Sequence, residues 1–62
     1  MDMNGKELIK LLKSNGWKEV RVEGSHHIMR KYGQEISVPV HGRKSIKKGL
    51  LYAILKEAGL NR

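Results

Sequence analysis

The chain has 62 residues, thirteen Lys+Arg against six Asp+Glu, and a net charge of +7. So short a chain holds one small domain, because it buries only ~60% of the surface its unfolded form exposes, and a doubly wound cofactor-binding sheet needs far more length. With no cysteine, disulfides and thiolate zinc sites are excluded; 39% hydrophobic and 31% charged residues make a globular composition, and the excess of seven positive charges favours a polyanionic partner, nucleic acid ahead of an anionic membrane or an acidic protein.

The opening residues, Met1-Asp2-Met3-Asn4-Gly5-Lys6-Glu7, lack the charged-then-apolar layout of a signal peptide. No apolar run approaches the ~18 residues of a membrane span, so the expected location is the cytosol. Asn4 and Glu7 have the spacing of a capping box. Leu8, Leu11 and Leu12 then recur at helical spacing, with Lys6, Lys10 and Lys13 on the opposite face. Asn15-Gly16 supplies the stop, so residues 4–15 are expected to form an amphipathic helix.

Residues 17–23 alternate Val20 and Val22 with charges and read as a strand that ends at the turn signal Gly24-Ser25. Residues 26–32 read as a second strand and residues 35–40 as a third, with Gly33-Gln34 as the tight turn between them. That turn sets Met29 opposite Val38 and His27 opposite Val40. It puts His27, Met29 and Lys31 on the core side and His26, Ile28 and Arg30 on the open side. Pro39 cannot donate to a ladder, so the third strand is an edge or is ending there. After a basic loop, Ser45 is the expected cap of a second helix. Its apolar positions are Ile46, Leu50, Leu51, Ile54, Leu55 and Ala58, it stops at Gly59, and Leu60 folds back. The cheapest burial for helix, three antiparallel strands and helix is an α+β domain with both helices on one face of the sheet.

Two features stand out chemically. Arg43, Lys44, Lys47 and Lys48 crowd the start of the second helix, where folding alone favours acids, and a phosphate would reverse the sign of that cost. Gly49 in the same helix is expected to permit close packing. The second feature is Gly24-Ser25-His26-His27. Adjacent strand residues point to opposite faces, so the two histidines do not form a chelate. The three histidines also match no metal-ligand spacing, and no Asp or Glu is expected near them to complete a site. No metal or other cofactor is therefore expected.

A single histidine beside cations suffices for metal-free cleavage of RNA. It takes the proton of the 2′-OH while a cation stabilises the phosphorane charge. Trp17, Tyr32 and Tyr52 are too dispersed for a base-stacking sheet of the RRM or OB type; Trp17 belongs to the core and Tyr52 to a rim.

Several segments in this order resemble the HicA toxin family: Leu8 to Gly16 with Trp17, Gly24-Ser25-His26-His27, Val38-Pro39-Val40-His41, Ile46-Lys47-Lys48-Gly49-Leu50, and Ile54 to Leu60. The resemblance implies a double-stranded-RNA-binding-domain-like fold. It also implies a toxin that acts as an mRNA interferase, a translation-independent endoribonuclease neutralised by a HicB antitoxin. By the same resemblance the histidine after Gly24-Ser25 is catalytic, here His26 with His27 as second candidate; His41 also recurs in the family and is read here as structural. Ser25 and the Gly24 backbone would orient the RNA, Lys44, Lys47 and Lys48 would hold phosphates, and Arg30 or Arg43 would stand near the scissile group. The alternatives are a non-catalytic double-stranded-RNA-binding module and a regulatory partner of an acidic protein.

Overall fold

The computed structural model describes residues 2–60. Its elements are α1 (Gly5–Ser14), β1 (Lys18–Glu23), β2 (His26–Lys31), β3 (Gln34–Pro39) and α2 (Lys48–Glu57). The strands form one antiparallel sheet in the order β1-β2-β3. Both helices cover one face, where Leu8, Leu12, Leu51, Ile54 and Leu55 close over Trp17, Met29, Ile36 and Val38. The opposite face is open, as the amphipathic pattern of the sheet requires.

The capping box of α1 is complete: Asn4 accepts from the Glu7 N–H, and Glu7 accepts from the Asn4 N–H. At its other end Gly16 takes φ 92°, and the Trp17 N–H returns to the Leu12 carbonyl. That reversal delivers Trp17 into the core and aims the chain into β1. α2 ends the same way, with Gly59 at φ 74° and the Leu60 N–H donating to the Leu55 carbonyl.

Three expectations need correction. The β2–β3 turn is Tyr32-Gly33, one residue earlier than Gly33-Gln34, and both of its residues have positive φ (50° and 80°). Met29 therefore pairs with Ile36 and His27 with Val38. Moving a two-residue turn by one position shifts every partner by two, so the alternation is unchanged: Met29 and Val38 are in the core and His26 and Arg30 are exposed, whereas Ile28, between them in the strand, is buried. Second, Ser45 does not cap α2. It forms a bridge with Asn4, the helix begins three residues later at Lys48, and its N-cap Lys47 makes no side-chain cap bond. Third, a Cβ added to Gly49 would meet nothing within 4 Å, so close packing does not explain it.

The close approach occurs at Gly5, where an added Cβ would press on the Pro39 carbonyl and lie 2.7 Å from Val40 Cγ2. The start of α1 is thus seated against the end of β3. The Ile46 N–H donates to the Met3 carbonyl and ties the approach to α2 to the same place. These contacts fix the basic loop at the end of the sheet where β2 begins.

Candidate nucleic-acid interface

Gly24 at φ 61° turns the chain after Glu23, and β2 starts at once with the two histidines. They diverge as strand geometry demands. His26 is exposed on the open face, its Nδ1 3.3 Å from the Ser37 hydroxyl on β3. His27 is half-buried on the helix side, its Nδ1 2.5 Å from a Glu19 carboxylate oxygen on β1. No single phosphate can contact both rings from one side of the sheet.

His26 is paired across the ladder with Pro39. Pro39 borders a cavity of about 260 Å³ whose other walls are His41, Lys44, Ser45, Ile46, Lys47 and Leu50. The exposed histidine and two of the expected phosphate ligands therefore share one end of the molecule. The Lys44 N–H donates to the His41 carbonyl across a turn with Gly42 at φ 57°, which presents Lys44 toward α2. The first turn of α2 has no acidic residue and no capping side chain, so its free N–H groups and the positive end of the helix dipole face outward beside Lys47 and Lys48.

The remaining expected site residues are placed less uniformly. The half-buried Ser25 precedes His26 directly, and its carbonyl is engaged by the Val40 N–H. Arg43 and Lys48 are exposed but do not line the Lys44–Lys47 cavity. Arg30 lies on the open face four residues beyond His26, about 13 Å along the strand. Its guanidinium is bonded to Glu35 through Nε at 3.1 Å and through a second nitrogen at 2.5 Å. The structure thus does not bring Arg30 to His26. Glu23, opposite His26, is held by Arg21 at 2.6 Å. Glu35 is also held by Arg21, and the two arginines keep its carboxyl below the usual carboxylate range.

The sequence reading missed Glu19. In a regular hairpin about Gly24-Ser25, Glu19 would alternate onto the face opposite His27. A β-bulge between Glu19 and Arg21 resets the alternation, so Glu19 pairs with Met29 and Val22 with His27 on the same side. No sequence signal marks the bulge. Among the described residues no group of three His, Cys, Asp or Glu side chains could hold a metal ion, and no helix is long and apolar enough to cross a membrane.

Residues 5–60 match the sequence model of a family described as the HicA toxin of bacterial toxin–antitoxin systems. No individually curated protein matches the chain.

Proposed function

This chain belongs to the HicA toxin family of bacterial toxin–antitoxin systems, and we propose that within it the protein is a metal-independent endoribonuclease acting on mRNA, with His26 as general base. One observation carries the reading: His26 faces Pro39, and Pro39 walls a cavity with Lys44 and Lys47. A ring able to take a proton and cations able to hold a phosphate thus lie at the same end of the sheet.

In the proposed mechanism the RNA backbone lies at the end of the sheet with phosphates on Lys44, Lys47 and Lys48. When Ser37 accepts the Nδ1 proton of His26, Nε2 is left free. Nε2 takes the 2′-OH proton, and the 2′-oxygen attacks the adjacent phosphorus. The lysines stabilise the charge that builds on the phosphorane. The P–O5′ bond then breaks, leaving a 2′,3′-cyclic phosphate, and the imidazolium or water protonates the departing 5′-oxygen. DNA has no 2′-OH and is not cut by this route. Arg43 lies between His41 and Lys44 and adds charge to the same end, while Ser25 orients the RNA backbone beside His26.

A second assignment of the base rests on the Glu19–His27 pair. A carboxylate on Nδ1 fixes the tautomer and leaves Nε2 to accept a proton, the arrangement found in hydrolytic triads. The exposed His26 is preferred because its ladder partner Pro39 borders the cavity that Lys44 and Lys47 line.

The neutralising partner in this reading is a HicB-like antitoxin that covers His26 and the Lys44–Lys48 segment with acidic side chains. A complex leaving both exposed would contradict that part. Cleavage of labelled mRNA in EDTA, with His26→Ala and His27→Ala beside the wild type, tests the whole reading. A protein that binds duplex RNA and cuts nothing would instead be the non-catalytic double-stranded-RNA-binding module.

A further inference from the structure

A cavity of about 460 Å³ lies at the other end of the sheet and is lined by Gly16, Lys18, Val20, Arg30, Lys31 and Tyr32. No carboxylate lines it. Arg30 is neutralised by Glu35, whereas Lys18 and Lys31 form no ion pair among the described residues. Lys31 Nζ donates to the Asn15 carbonyl at 2.7 Å and stands 5.6 Å from the centre of the Tyr32 ring.

Tyr32 is the unusual member of this group. It is 96% exposed and is the only non-glycine among the described residues with positive φ. Neither packing nor turn preference selects an aromatic residue there, because Asn and Gly suit the position better. A large apolar ring held out in solvent at a backbone cost points to a ligand for the ring. Val20, 40% exposed at the β-bulge, adds an apolar wall.

We propose that this cavity binds one nucleotide of a single-stranded RNA, its base against Tyr32 and Val20 and its phosphate on Lys18 and Lys31. An aromatic face, an aliphatic wall and two ammonium groups without carboxylate partners match a nucleotide, which carries a flat base and an anion together. An acidic peptide would engage the lysines and leave the ring without a role. The site extends the RNA reading of the preceding section and rests on it. RNA whose reacting phosphate is at His26 crosses the open face, where arginines hold the Glu23 and Glu35 carboxylates, and reaches this cavity a few nucleotides away.

The test uses the full chain and 2′-O-methyl oligonucleotides, which lack the reacting hydroxyl and remain intact. A trinucleotide and a dodecamer are titrated by fluorescence anisotropy against wild type, Tyr32→Asn, Lys18→Gln and the control Lys10→Gln. Asn tolerates positive φ, so the turn is kept, and circular dichroism verifies the fold. Tyr32→Asn is expected to weaken the dodecamer about tenfold and Lys18→Gln a few-fold, with the trinucleotide and the control unchanged. On cleavable RNA of the longer length, KM rises and kcat holds. If Tyr32→Asn leaves the dodecamer unaffected while Lys47→Gln weakens it, the cavity does not bind RNA and the general RNA reading stands. If the wild type binds neither oligonucleotide, the RNA reading itself fails. If Tyr32→Asn spares RNA and weakens a purified antitoxin, the cavity is a protein-docking site and the proposal is overturned.

Discussion

Nδ1 of His26 lies 3.3 Å from Oγ of Ser37 on the neighbouring strand. The contact is between two exposed groups, so it adds little to stability, and its consequence is the orientation of the ring. Ser37→Ala is expected to change unfolding free energy by less than ~0.5 kcal/mol. It should slow RNA cleavage about fivefold, the worth of one neutral hydrogen bond. Single-turnover cleavage rates and denaturant melts on the same preparation separate the two effects.

Lys44 and Lys47 share a cavity, and the proposed mechanism puts phosphates on them. For single-stranded RNA each phosphate neutralised contributes about −0.7 to the slope of log affinity against log salt. Lys44→Gln and Lys47→Gln should each flatten that slope by about this amount, additively and at every RNA sequence. An unchanged slope in the double variant would remove both residues from the interface.

Gly5 and Gly49 predict substitutions of opposite sign. At Gly5 an added methyl is driven into the Pro39 carbonyl and the Val40 backbone, which cannot rotate away. Gly5→Ala should cost about 1–3 kcal/mol. At Gly49 the space is open and the residue is helical, so Gly49→Ala should stabilise by about 0.4–1 kcal/mol. Thermal melts of the two variants check the pair.

Much of this arrangement is legible in the sequence, and the exceptions have identifiable causes. Asn4, Glu7, Gly16 and Gly59 mark the helix ends through backbone hydrogen bonds that depend only on near neighbours, and they do so correctly. The faces of β2 and β3 follow from period two, which survives the displaced turn. The turn is displaced because Tyr32 accepts φ 50°, a conformation that residue preferences assign to Gly or Asn. The bulge beside Val20 depends on pairing across strands, so the sequence could not place Glu19 against His27. Ser45 looks like a cap but is recruited by Asn4, a partner forty-one positions away in the chain.

Acid should weaken the open face first. Arg30, and then Arg21, lower the Glu35 pKa from its ordinary 4.5, opposed by desolvation. A carboxylate with a depressed folded-state pKa contributes stability that is complete above the unfolded value and is lost as pH falls through the folded one. Stability measured by denaturant titration should therefore decline below about pH 4.5. Glu35→Gln should remove part of that decline and leave the neutral-pH fold intact.

The most direct measurement is cleavage of labelled mRNA by purified protein in EDTA, comparing wild type, His26→Ala and His27→Ala. The account predicts fragments with 2′,3′-cyclic phosphate ends from wild type, a loss of about 10²–10⁴-fold in His26→Ala, and retained cleavage in His27→Ala. Loss confined to His27→Ala would transfer the reaction to the Glu19–His27 pair on the helix side. Intact RNA with every variant, the wild type included, would contradict the enzymatic reading.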